Sequence, residues 1–231
     1  MSPCLLGIDT SNGACSAGLW LDGECLERYE VAPRGHGLLL LPMVESLLAE
    51  AGRGLADVDA LALGRGPGSF TGLRIATGMV QGLAFAIDRP VVPVSSLATL
   101  AQGAVGVDGL PAERVLAAFD ARMAEVYWGA YQRSEEGLVA LLGDERVVPP
   151  TEVPSPGDGD WIAVGEGWGA YRDELMAAVG GRVEVMAEPL YPRARDLLAL
   201  ALRAWDVGEA VPAEQALPVY LRDQVVALPA R

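Results

Sequence analysis

Ala60 to Leu63, an apolar run of one strand's length, leads directly into Gly64-Arg65-Gly66-Pro67-Gly68-Ser69-Phe70-Thr71-Gly72 and then into a periodic apolar stretch ending near Ile87. Short apolar runs closed by turn residues mark strands buried on both faces, and the longer periodic stretch marks a helix. Asp88-Arg89-Pro90 stops that helix, Val91 to Val94 reads as the next strand, and Ser95 caps a helix to about Ala104. Strand and helix in alternation need crossover connections, and a sheet built that way is covered by helices. The chain is therefore read as α/β.

Upstream, Leu5, Leu6 and Ile8 make a buried-strand signal ending at Asp9-Thr10-Ser11, and Ala14 to Leu21 and Glu24 to Val31 flank the turn Asp22-Gly23. This predicts a three-strand meander. Leu40, Val44, Leu47 and Ala51 recur at helical spacing from Leu38 on, Gly52 supplies the stop, and Pro42 sits near the first turn or at a kink. Gly103 to Pro111 reads as a linker. Beyond it Val115 to Phe119, Glu125 to Tyr131, Leu138 to Val148, Trp161 to Val164 and Arg182 to Met186 read as strands. Pro149 to Asp160 reads as a loop and Ala194 to Trp205 as a helix. The expectation is two lobes, 1–106 and 107–231, each a sheet with helices.

With 231 residues the chain has room for a substantial core. Its 17 basic residues are all arginine, set against 31 acidic ones for a net charge of −14. Without lysine there is no Walker-type phosphate lysine, no Schiff base and no Ser-Lys dyad. An acidic surface is a poor grip on nucleic acid, so a partner must supply one. Cys4, Cys15 and Cys25 show neither a CxxC pair nor zinc-finger spacing and are read as buried free thiols. A basic leader is missing, and no apolar stretch is counted at the roughly 18 residues of a membrane span, which places the chain in the cytoplasm without a membrane partner.

Two segments could hold a cofactor. The glycine-rich loop stands before a helix, where backbone amides can cradle an anion, or where glycines merely permit a tight turn. Arg74, one turn in, would strengthen an anion site or equally form an internal ion pair. Asp9-Thr10-Ser11 after the first strand has the form of a phosphate loop in actin-like ATPases, and equally of a turn closing a strand. The candidate cofactor residues are thus Asp9, Thr10, Ser11, Gly66 and Gly68. His36 is the sole histidine, expected at the surface or in a capping role, so no two-imidazole metal site exists in one subunit. Ser16, Ser69 and Ser95 lack a base nearby in sequence, and no nucleophile is assigned.

The helix after the glycine loop has two apolar sides. Leu73, Ala76, Val80, Leu83 and Ile87 suit packing on a sheet, whereas Ile75, Met79 and Ala86 lie beside Gly78 and Gly82, whose spacing lets a second helix approach. The preceding helix is also apolar, with Leu38 to Leu41 in succession. Either both helices are sandwiched inside one domain, or they form a subunit interface. The residues named for such an interface are Leu40, Val44, Leu47, Arg74, Ile75, Gly78, Met79, Gly82 and Ala86.

Four segments, LLGIDTSNGACSAGLW (5–20), GRGPGSFTGLRIATGMVQGLAFA (64–86), DARMAEVYW (120–128) and PVYLRD (218–223), make the chain resemble the TsaB (YeaZ) family, which serves formation of threonylcarbamoyladenosine (t6A) beside the anticodon of tRNAs. The resemblance implies a two-lobed actin-like (ASKHA, ribonuclease H-like) fold with mixed sheets. It implies TsaD as catalytic partner in a heterodimer, TsaE as a further partner, a homodimer when TsaD is absent, and tRNA contact only through the complex. The two metal-binding histidines of TsaD fall in register on Ser96 and Leu100, neither fit for the task. The resemblance thus implies no metal, no intrinsic cofactor and no catalysis by this chain, with nucleotide only at the interface of the complex. The competing readings are an actin-like ATPase or kinase using Asp9 and Gly66–Gly72, and a glycoprotease, poorly served by one histidine and no nucleophile.

Overall fold

A computed structural model describes residues 2–105, 113–186 and 191–222. β1 (Leu5–Asp9), β2 (Ala14–Leu21) and β3 (Glu24–Val31) form the expected antiparallel meander, turned by Asp22 and Gly23 at φ 52° and 92°. α1 (His36–Glu50) follows, then β4 (Ala60–Gly64), α2 (Phe70–Ile87), β5 (Val91–Val94) and α3 (Ser96–Val105). β4 and β5 add in parallel, giving the order β3-β2-β1-β4-β5. β6 (Arg114–Arg122), β7 (Glu125–Arg133) and β8 (Val139–Val148) are again antiparallel, β9 (Asp160–Val164) and β10 (Arg182–Val185) again parallel, in the order β8-β7-β6-β9-β10. Counted from its own first strand, each sheet has the same topology. The fold is a duplication that no sequence repeat announces.

α4 (Glu166–Ala170), α5 (Arg172–Val179) and α6 (Ala194–Asp206) complete the layers. Leu6 and Ile8 of β1 face α1 and α2, and Leu5 on the opposite face meets Leu197, Leu198 and Ala201 of α6. Every residue of β1 is therefore buried. In the second sheet Val115, Ala117 and Phe119 meet α3, while Leu116, Ala118 and Trp128 meet Trp168 and Leu175 of α4 and α5. The last helix of each half thus packs on the other sheet. A division at 106/107 follows the chain but not the cores: Leu97, Leu100 and Ala101 belong to the second sheet's core, and α6 to the first. Gly103 to Val105 of the expected linker are helical, and 106–111 lie outside the described residues.

Three other expectations change. α1 begins at His36 and passes through Pro42, which is exposed and lies in the helix interior beyond the first turn, leaving the kink as the alternative that stands. α4 and α5 were not anticipated, because Glu166-Gly-Trp-Gly-Ala carries two glycines and little helical propensity. And α2, alone among the described residues, has the length and mean hydropathy (1.3) of a membrane span, which the count of uninterrupted apolar residues missed. A third of it is buried in its own lobe.

The thiols are free; Cys4 and Cys15 are buried and Cys25 only partly so. Burial pushes Cys15 and Cys25 up to about 11, which keeps both as unreactive thiols at neutral pH.

α6 is anchored by the sheet it covers. Ser16 Oγ accepts from the Ala194 N–H (2.8 Å), and Glu27 accepts from the Arg195 N–H (3.1 Å) while pairing with Arg193. These bonds serve amides that a helix start leaves free. Asp196, in that first turn, is partly buried, and desolvation with Glu27 nearby pushes its carboxyl up to about 6 despite Arg195 and Arg193. A carboxyl that protonates more readily folded than unfolded stabilises the fold in acid, and that contribution is lost as pH rises through about 6. Asp196→Asn should then raise stability at about pH 8 by up to about 3 kcal/mol and leave it unchanged near pH 4. Thermal melts at both pH values measure this; equal shifts at both would assign the effect to packing.

Candidate functional site

The two lobes face each other across a cleft of about 860 Å³. Its floor is the junction of the Asp9–Asn12 turn with the glycine-rich loop, and here the expected cofactor residues do meet. They meet one another. Asp9 is 1% exposed; its Oδ1 accepts from the Ser11 N–H (2.8 Å) and hydroxyl (2.7 Å), and its Oδ2 from the Ser96 hydroxyl (2.9 Å). Burial nevertheless holds this carboxyl above the usual carboxylate range. The Thr10 hydroxyl donates to the Gly72 carbonyl (2.7 Å), and the Ser69 N–H to the Ser11 carbonyl (2.6 Å).

The glycines permit this contact. A Cβ on Gly68 would collide with the Ser11 carbonyl, one on Gly72 with the Thr10 carbonyl, and one on Gly64 with the Asp9 carboxylate. Gly66 has φ +97° and directs its N–H to Ser96 Oγ at 3.2 Å. The turn-forming role of the loop is thus the one seen. Of the five cofactor candidates only Ser11 and Gly68 line the cleft; Asp9, Thr10 and Gly66 are spent on the joint between loops. A carboxylate that orients a metal-bound water needs a lone pair facing the ligand, and the bonds of Asp9 are directed into the protein.

His36 is the first residue of α1 and only 5% exposed, not at the surface as expected. Burial lowers its pKa and favours neutral imidazole, with Asn12 and Asp9 nearby, and its Nδ1 has no hydrogen-bond partner among the described residues.

The second lobe contributes the β6–β7 hairpin. Arg122, Met123 and Ala124 are successive left-handed residues, φ 60°, 56° and 58°, a costly run for side chains with a Cβ. Arg122 bonds to Asp120 (2.8 Å), and Arg222 pairs with Glu125 and reaches the Arg122 carbonyl (3.4 Å). The motifs at 120–122 and 220–222, far apart in sequence, therefore meet; Asp223 lies outside the described residues. The segment leading to Arg222 crosses from the first lobe: Gln81 donates to the Ala216 carbonyl (3.1 Å), the Val219 N–H to the Arg65 carbonyl (2.8 Å), and Tyr220 stands 5.7 Å from the Phe70 ring. Arg74 lies over that ring, 3.6 Å from its centroid.

Asn12, Glu166 and Tyr191 also line the cleft and were missed. Only the duplicated topology points to Glu166: it opens the helix after β9 as the residues around Phe70 open the helix after β4.

A second surface is the outside of α1 and α2. Leu40, Val44 and Leu47, expected to meet a partner, are 0%, 2% and 0% exposed and form the first lobe's own core. Their spacing recorded the sheet-facing side. Ile75 and Met79 are partly buried there too, whereas Arg74, Gly78, Gly82 and Ala86 are exposed. Phe85 and Leu38, each 84% exposed, join them.

Two sheets of one topology, exchanged end helices and a cleft between lobes define a two-lobed actin-like (ASKHA) protein. The family profile "TsaD: tRNA N6-adenosine threonylcarbamoyltransferase" matches residues 29–228. The tRNA threonylcarbamoyladenosine biosynthesis protein TsaB of Escherichia coli is 46% identical over 96% of this chain and 95% of its own, and that of Haemophilus influenzae 38% identical over 96% and 94%. The solved structure of YeaZ from Pseudomonas aeruginosa is 55% identical, with TM-score 0.88 over 95% of this chain and all of that one. The chain belongs to the TsaB (YeaZ) family of tRNA threonylcarbamoyladenosine biosynthesis proteins.

Proposed function

We propose that this chain acts in t6A formation as the non-catalytic partner of a TsaD-type threonylcarbamoyltransferase. The observation that carries this reading is the fate of the two positions in register with the histidine ligands of TsaD. The Ser96 hydroxyl is tied to Asp9 and Gly66, and Leu100 is 1% exposed in the core of the second lobe, where it has no donor atom to offer. The transfer of threonylcarbamoyl from threonylcarbamoyl-AMP to the tRNA adenosine then falls to TsaD. The exposed side of α2, with Leu38 and Leu41 of α1, is the surface this reading gives to TsaD, or to a second copy when TsaD is absent. TsaE joins the pair, nucleotide lies at the interface of the complex, and tRNA is held through the complex in the cytoplasm, consistent with the acidic charge of this chain.

Reconstitution tests it. Purified TsaD and TsaE with threonylcarbamoyl-AMP and tRNA should form t6A only when this chain is added, and the chain alone should form none. Equal t6A yield without it, or formation by the chain alone, would defeat the proposal.

A further inference from the structure

Two charges of opposite sign that line the cleft, Glu166 and Arg74, are in no ion pair among the described residues. Glu166 accepts one hydrogen bond, from the Asn12 amide at 3.2 Å, and is in no ion pair among the described residues. Arg122, whose charge partly offsets that of Glu166, is itself engaged by Asp120 at 2.8 Å. Arg74 is likewise in no ion pair among the described residues, resting on the face of Phe70. Arg222, by contrast, is satisfied by Glu125. Between them the wall is aromatic, with Tyr127, Tyr191, Tyr220 and Phe119.

We propose that the interlobe cleft binds a small zwitterion, an amino acid or short peptide, with its ammonium group at Glu166 and its carboxylate at Arg74. A volume of about 860 Å³ suits a compact organic ligand, and a few convergent polar groups on an aromatic wall are the ordinary make-up of such sites. A polyphosphate is disfavoured on the same evidence. The amide of Ser69 is bonded to Ser11, Gly68 is pressed against that same carbonyl, no lysine is available, and Glu166 would repel phosphate. Burial and the nearby Asp120 hold the Glu166 carboxyl above the usual range despite Arg122, and an ammonium group would supply a direct countercharge. The segment 216–222, bonded to both lobes, borders the same cleft and would limit entry to small molecules.

The inference does not rest on the partner role, and titration calorimetry on the full chain alone tests it. Alanine or alanyl-alanine should bind, and N-acetylation or C-amidation of the bound one should each weaken binding about tenfold or more. In Glu166→Gln the free and N-acetylated forms should bind alike, and in Arg74→Gln the free and amidated forms, with unchanged near-ultraviolet signals from the buried Trp128, Trp161 and Trp168 certifying the fold. Absence of heat with either probe at about 10 mM, or blocked probes that bind wild type as well as free ones, overturns it.

Discussion

Gly72→Ala should cost about 3 kcal/mol or more, enough to leave much of the protein unfolded at ambient temperature. The reason is backbone against backbone. A Cβ at Gly72 would occupy the space of the Thr10 carbonyl oxygen. That carbonyl cannot swing aside as a side chain would, because the Thr10 hydroxyl is bonded to the Gly72 carbonyl (2.7 Å) and the next residue's carbonyl accepts from Ser69 (2.6 Å). Separating the loops would break both bonds and leave the buried Thr10 hydroxyl and Ser11 carbonyl unsatisfied. Gly82→Ala on the same helix is the control: its Cβ would meet nothing within 4 Å, and alanine favours the helix by about 1 kcal/mol. Urea titrations should place the two variants on opposite sides of wild type. A Gly72→Ala midpoint close to wild type would mean that the two loops are not locked together.

The same pair of loops shows what the sequence could and could not disclose. Strands were legible because each is a short apolar run ended by turn residues, and the bounds of β2 and β3 are those expected. The pairing of sheets with helices was not, since Leu97 and Leu100 look like any helix side until α3 is seen crossing to the second sheet. Asp9-Thr10-Ser11 and the glycine loop, both named from the sequence as candidates, are in contact in the structure. Their chemistry stayed open between two readings, because a phosphate cradle and a tight loop joint require the same residues: small backbones, hydroxyls and a carboxylate. Only the direction of the hydrogen bonds separates the two. Helix α1 misled for a related reason. Leu40, Val44 and Leu47 stood out through periodicity, and periodicity identifies the side that finds a neighbour within the chain. The side left exposed, with Leu38 and Leu41, lacks that regularity.

That exposed side gives the second large effect. If TsaD is the partner proposed above, Gly78→Arg and Gly82→Arg should each reduce affinity for it at least a hundredfold, about 2.7 kcal/mol, while leaving the isolated chain as stable as wild type or slightly more so. Neither glycine has an atom within 4 Å of a Cβ position, so the new side chain has room in the free protein, and arginine is the better helix former. Room in the free protein is what a partner would fill. Glycines one turn apart let a second helix approach closely, and Ala86 continues the small-residue row on that exposed side. The exposed Phe85 lies beside it. An arginine there holds the helices apart and buries a charge with no counterion. Co-purification and t6A reconstitution with each variant measure the loss, and thermal melts of the free chain confirm that the fold is intact. A folded Gly78→Arg variant that still binds TsaD with wild-type affinity would move the contact off this side of α2. The reading would then have to rest on the cleft and the hairpin at Arg122, the remaining surfaces with uncovered charge or strain.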